Sequence, residues 1–137
     1  MLAVGLPVGE VEDLASAPLH GPSANDLQAS RLRELSDWLQ SEGRKLMLEV
    51  IVPGERSGER IAAAIRALQD AGVEPDVWKV EGLARPQDCL PVSAQARAEG
   101  RRATRLIVLG AGADPDAVER WLRAAAVTPG YAGFAVG

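Results

Sequence analysis

A chain of 137 residues, 47% of them hydrophobic and 25% charged, is long enough for one domain with a buried core. Its 15 basic and 19 acidic residues give a net charge of −4 and form no basic stripe, which argues against nucleic acid as a partner. No apolar run is long enough to cross a membrane. Cys89 is the only cysteine, so a disulfide within the chain is excluded and we expect a protein of the reducing cytoplasm.

Short apolar segments that favour strands alternate along the chain with segments of helical periodicity. The predicted strands are Leu2–Val8, Leu46–Val52, Val77–Glu81, Leu106–Leu109 and Ala132–Val136. The predicted helices cover about 26–41, 59–71, 91–99 and a segment that begins after Asp114. The last four strands start roughly 30 residues apart, which is typical of a βα repeat with parallel strands and right-handed crossovers.

Apolar stripes predict which side of each helix faces the core. Leu32, Leu35 and Leu39 form such a stripe in the first helix, and Ile61, Ile65 and Leu68 form one in the second. In the last helix Asp114 is the expected N-cap, Pro115 the first helical residue, and Val118, Trp121 and Leu122 the buried side. The three tryptophans, at positions 38, 78 and 121, are all predicted to pack in the core or between helix and sheet.

Two α/β architectures fit this pattern: part of a (β/α)₈ barrel, or an open doubly wound sheet of the flavodoxin type. Strands of an open sheet are buried on both faces and are nearly continuous apolar runs. The strand at 46–52 instead has one apolar face and places Glu49 on the other. We therefore favour the barrel. The flavodoxin alternative also lacks a Gly-rich phosphate motif after the first strand, where 7–10 reads Pro-Val-Gly-Glu.

The most informative segment is the strand at 77–81. Lys79 and Glu81 share one of its faces with Val77, whereas Trp78 and Val80 lie on the other. Buried charges are costly unless they are paired, and they concentrate where chemistry occurs. A lysine shielded from water can attack a carbonyl and form a Schiff base. The alternative for Lys79 is a purely structural ion pair with Glu81 or Glu49.

Four segments of the chain, in order, resemble the later strands of class I aldolases of the tagatose bisphosphate aldolase type. They are 48–49, 76–81, 106–112 and 133–137. The segments 72–79 and 133–137 are still more similar to the aldolase-like domain fused to sugar kinases in bacterial myo-inositol catabolism. This resemblance covers roughly residues 30–137. It implies a (β/α)₈ barrel that cleaves a phosphorylated keto sugar or keto-deoxy sugar acid through a lysine imine.

The resemblance also implies a role for individual residues. Lys79 matches the Schiff-base lysine, Glu49 the acid/base glutamate, and Glu81 lies where it could tune the lysine. The glycine-rich segment after the fourth predicted strand and the last residue of the sequence match phosphate-binding loops; they are Gly110, Ala111, Gly112 and Gly137. A serine stands in the tagatose enzymes where this chain has Gly110. The chemistry needs no metal or cofactor, and its partner is a small phosphorylated sugar.

On this alignment the 137 residues form one domain that corresponds to strands four to eight of a barrel. The first three strands, and the arginine-containing loop that follows the Gly137 position in the family, have no counterpart here. Five strands cannot close a barrel, so two edges are expected to stay open. We therefore expect a homo-oligomer or pairing with the missing barrel half. The competing functional hypothesis is a non-catalytic barrel fragment that serves as an assembly or binding module.

Overall fold

The computed structural model describes residues 2–7, 24–110 and 112–135 and confirms the predicted alternation of strands and helices. The strands are β1 (Leu2–Pro7), β2 (Leu46–Ile51), β3 (Val77–Glu81), β4 (Arg105–Leu109) and β5 (Tyr131–Ala135). The helices are α1 (Ala24–Ser41), α2 (Gly58–Asp70), α3 (Pro86–Ala96) and α4 (Pro115–Ala126). No helix in these described ranges is both long and apolar enough to cross a membrane.

The five strands form one parallel sheet in the order β1-β2-β3-β4-β5. Each strand therefore pairs with the next along the chain, as neighbouring strands do in the wall of a (β/α)₈ barrel. A doubly wound sheet reverses its strand order partway, so the flavodoxin-like alternative is wrong. In the described sheet β1 and β5 have one neighbour each, and they are its two edges.

All four helices pack on one face of the sheet, as right-handed crossovers in one direction require. The core there joins strand residues, none more than 2% exposed, to residues of every helix. The strand residues are Leu48, Val50, Trp78, Val80, Leu106 and Val108; from the helices come Leu32, Ile61, Ile65, Leu68, Val92, Trp121 and Ala124. We call this side of the sheet the covered face.

Three sequence predictions about the helices need correction. Helix α3 begins at Pro86, not near Pro91, because the proline at the first helical position is Pro86 and Pro91 lies inside the helix, where it removes one backbone hydrogen bond. Trp38 is 55% exposed on α1 and is not a packing residue. In α4, Asp114 caps the helix through Ala117 N–H as predicted, but Trp121 is buried while Val118 and Leu122 are only half-buried.

Candidate active site

The opposite side of the sheet, which we call the open face, carries half-buried and exposed side chains. One residue from each strand lies in register across it: Gly5, Glu49, Lys79, Ile107 and Gly133. Because side chains alternate along a strand, the residues of β2 and β3 that carry charge point away from the helices. The two charged residues of this row, Glu49 and Lys79, are direct neighbours on adjacent strands.

Glu49 and Lys79 form a close ion pair. Lys79 Nζ lies 2.6 Å from Glu49 Oε2, and the two side chains are only 20% and 23% exposed. The sequence prediction that the amine is shielded and has a carboxylate within reach is therefore confirmed geometrically. An ion pair at hydrogen-bond distance also allows a proton to pass directly between the two groups.

Lysine is rare in this chain, which makes its presence at position 79 notable. The 15 basic residues comprise two lysines and 13 arginines. The other lysine, Lys45, is 68% exposed and pairs with Asp76 at 2.7 Å, at the amino end of β2. Arginine is the usual partner in a purely structural ion pair, whereas only lysine can lose its proton and act as a nucleophile. A lysine at position 79 is therefore compatible with a nucleophilic role as well as with a structural ion pair.

Glu81 is directed to an arginine that the sequence analysis did not single out. Its Oε1 lies 3.5 Å from Arg56 Nε, and its Oε2 accepts a hydrogen bond of 3.2 Å from Val52 N–H. The Glu81 side chain is only 12% exposed and lies at the carboxyl end of β3. Glu81 is on the same face as Lys79, as predicted, but its contacts are with Arg56 and Val52, not with the lysine amine.

Arg56 is held in place by the ring of Trp121. Its guanidinium carbon lies 4.5 Å from the ring centroid, within the range of a cation–π interaction. The ring itself reaches the end of β3, since a Cβ on Gly82 would fall 2.3 Å from the Trp121 ring. Gly82 is thus required for Trp121 to lie there, and Trp121 in turn supports Arg56.

The loop that carries Arg56 connects β2 to α2 at the carboxyl edge of the sheet. Arg60 braces it, with Nη2 2.6 Å from the Pro53 carbonyl oxygen, and Gly54 adopts φ +89°, which a glycine tolerates. Functional residues of parallel βα folds concentrate on such loops. That position, rather than any motif, was the signal in the sequence that could have identified Arg56.

Two of the four predicted phosphate-binding residues, Ala111 and Gly137, lie outside the described residues. Gly110 is buried, and its N–H donates to the Ala135 carbonyl at 3.1 Å, which extends the β4–β5 pairing. That N–H is therefore occupied and not directed at a phosphate. Gly112 is exposed with φ +63° and has open space around it, as expected for a tight turn before α4.

Other surface features of the described residues lie away from this ion pair. One depression runs along α2 towards Gln95, and another lies at the amino edge of the sheet around Lys45, Asp76 and Arg105. Neither contains Lys79 or Glu49. Within the described ranges, no three His, Cys, Asp or Glu side chains are grouped so as to hold a metal ion.

Comparison with known proteins gives a family. The sequence profile described as "Uncharacterized protein conserved in bacteria (DUF2090)" matches residues 16–137. The chain belongs to the DUF2090 family. A search of curated proteins found no match. The DUF2090 match spans both strands of the ion pair and the loop that carries Arg56, so the candidate site lies wholly inside the family domain.

Proposed function

We propose that this DUF2090 chain is a class I aldolase-type lyase that acts on a phosphorylated keto sugar or keto-deoxy sugar acid through a Schiff base at Lys79. One observation carries the proposal: a lysine amine, shielded from water on the open face of a parallel βα sheet, lies 2.6 Å from the carboxylate of Glu49. The resemblance of the 76–81 and 133–137 segments to class I aldolases supports the same reaction. A cytoplasmic location fits the single, unpaired Cys89.

In the first half of the reaction, Glu49 accepts a proton from the Lys79 ammonium. The free amine attacks the ketone carbon, which forms the C–N bond and converts the carbonyl oxygen to a hydroxyl group. Glu49 then returns its proton to that hydroxyl, which leaves as water and gives the iminium. The positive charge that the ammonium carried is now on the imine nitrogen, still beside the Glu49 carboxylate.

In the second half, the iminium withdraws electrons from the adjacent carbon–carbon bond. Removal of the proton from the substrate hydroxyl group beyond that bond releases an aldehyde, and the bonding pair forms an enamine on Lys79. Glu49 is placed to accept the hydroxyl proton and later to protonate the enamine carbon. Hydrolysis of the resulting iminium by water releases the ketone product and restores the amine.

Borohydride trapping tests the proposal directly, with dihydroxyacetone phosphate as the probe. Reduction of an imine fixes a stable adduct, and peptide mass mapping locates it. We expect labelling at Lys79 but not at Lys45, which is more exposed and so serves as an internal control. Absence of an adduct at Lys79, or equal labelling of Lys45, would reject the imine.

Matched variants make the test quantitative. Lys79→Arg keeps the charge but removes the nucleophile and should abolish trapping, while Lys45→Arg should leave it unchanged. Glu49→Gln should slow imine formation by about 10²- to 10⁴-fold, the usual contribution of a general acid–base. If Glu49→Gln traps as fast as the wild type, the glutamate has no part in the proton transfers.

The competing function is a non-catalytic assembly or binding module, and the edges of the sheet favour it. Strands β1 and β5 each lack a neighbour on one side within the described sheet, and Phe134 on β5 is 56% exposed. Size-exclusion chromatography with light scattering separates the alternatives. A homo-oligomer, or a complex with a chain that supplies further barrel strands, together with the absence of imine trapping, would favour the module.

A further inference from the structure

We propose that Arg56 binds the anionic group of the substrate, a carboxylate or a phosphate, while the carbonyl reacts at Lys79. The inference rests on the proposed imine chemistry and assigns the substrate contact that determines specificity. Arg56 has a free guanidinium end at the carboxyl edge of the sheet, on the loop that follows the strand of Glu49.

The terminal nitrogens of Arg56 are available to a ligand. Its Nε faces Glu81, and its flat side lies on the Trp121 ring, but neither Nη1 nor Nη2 has a hydrogen-bond partner among the described residues. The side chain is 39% exposed, so a ligand can approach it from solvent. A planar pair of N–H donors is the arrangement that binds a carboxylate or phosphate with two parallel hydrogen bonds.

Other arginines at this edge of the sheet do not offer such an end. Arg85 donates from Nε and Nη2 to both carboxylate oxygens of Asp88, at 2.8 and 2.9 Å. Arg60 donates to the backbone carbonyls of Pro53 and Glu55 and thereby shapes the loop. Arg56 is thus distinguished from them by its contacts and not only by its position.

Two contacts also restrict the Arg56 side chain before any ligand binds. The Trp121 ring limits its movement on one side, and on the other Nε lies 3.5 Å from the carboxylate of Glu81, whose side chain is only 12% exposed. A side chain that is already ordered loses less entropy when it binds, so its hydrogen bonds contribute more to affinity. Glu81 therefore acts as a positioning residue for Arg56, since its contacts are with Arg56 and Val52 and not with Lys79 on the same face.

The spacing indicates the kind of substrate. Glu81, which holds Arg56, is two residues beyond Lys79 on β3, about 7 Å along the strand. A ketone bound to Lys79 would reach Arg56 only if its anion were separated from the carbonyl by two or more carbon atoms, or carried on a phosphate ester. We therefore expect linear keto acids and keto phosphates to be good substrates and neutral ketones to be poor ones.

Paired ketones test this with the trapping assay. The probes are 4-oxopentanoate against the neutral 5-hydroxypentan-2-one, and dihydroxyacetone phosphate against dihydroxyacetone, so that one pair tests a carboxylate and the other a phosphate. In the wild type we expect the half-saturating concentration of at least one anionic ketone to be about 10- to 100-fold lower than that of its neutral partner. If the two half-saturating concentrations were nearly equal in both pairs, the inference would be overturned, but the proposed imine at Lys79 would not.

Three variants assign the preference to Arg56. Arg56→Gln should bring the ratio of the half-saturating concentrations of the anionic and neutral ketones close to one. Arg56→Lys should give an intermediate ratio because it keeps the charge without the paired donors. Arg85→Gln makes the same charge change at the same edge, where the guanidinium is already occupied by Asp88, and should retain the wild-type ratio. If Arg56→Gln and Arg85→Gln lost the preference for the anionic ketone equally, the effect would be one of general charge and the assignment to Arg56 would be refuted. Far-UV circular dichroism checks that each variant folds.

A binding measurement decides the inference even if no imine forms. In Lys79→Met, ¹⁵N NMR should show saturable, millimolar shifts of the Arg56 side-chain Nε–H signal with 4-oxopentanoate or inorganic phosphate. That signal is assigned by its loss in Lys79→Met/Arg56→Gln. Anion binding here without trapping in the wild type would reject the proposed function but keep the anion site. No shift with either anion would overturn the site.

Discussion

The two faces of the sheet differ in what they contain, although they are made by the same strands. On β3, Trp78 and Val80 are 0% exposed against the helices, while their neighbours Lys79 and Glu81 lie half-buried on the other side. Alternation of side chains separates the two sets completely. The covered face supplies the burial that stabilises the fold, which leaves the open face free to hold charged groups in a fixed register.

Truncation of Trp78 should produce the largest loss of stability. Trp78→Ala removes the largest fully buried side chain and leaves a cavity under the helices, so we expect unfolding to become easier by about 3 to 5 kcal/mol. Val77→Ala, next to it on the open face, should cost less than about 1 kcal/mol. Urea denaturation measures both. Similar losses at the two positions would contradict the division between the faces.

An added methyl group at Gly82 tests the link between the covered core and the open site. Gly82→Ala places a Cβ 2.3 Å from the Trp121 ring, and this overpacking should destabilise the protein by about 1 to 3 kcal/mol. It should also displace Trp121 from Arg56. Gly133→Ala is the matched control because nothing lies within 4 Å of its added Cβ, so it should change stability by less than about 0.5 kcal/mol.

The Glu49–Lys79 pair should contribute moderately to stability. In a double-mutant cycle with Glu49→Gln and Lys79→Met, we expect a coupling of about 1 kcal/mol, because both side chains are largely shielded from water. The exposed pair Glu119–Arg123 on α4, 61% and 77% exposed, should couple by less than about 0.5 kcal/mol and should weaken more in salt. Equal coupling in the two cycles would indicate that solvent screens the open face as strongly as the outer helix surface.

The alternating pattern of β2 and β3 was sufficient to predict the shared face of Glu49 and Lys79, because register between parallel strands follows from which side of each strand is apolar. The contacts of Glu81 could not be predicted in this way. They depend on Arg56 in an irregular loop and on Trp121, which lies 40 residues beyond Glu81 in the sequence and contacts Arg56 only through the packing of α4. Periodicity describes regular elements and contains no information about where a loop side chain ends.

Alkaline pH should lower the free energy of unfolding through two titratable groups on the covered side of the sheet. Burial raises the pKa of the Cys89 thiol, which is 1% exposed, and the pKa of the Tyr131 hydroxyl. The folded protein therefore keeps protons that the unfolded chain releases above about pH 8.5 for cysteine and pH 10 for tyrosine, so stability is full below those values and falls as the pH rises. Between pH 7 and 9 we expect a fall of at most about 1 kcal/mol in the free energy of unfolding, measured with urea. Cys89→Ala, although less stable at both pH values, should lose most of this dependence; an identical fall in the variant would mean that other groups cause it.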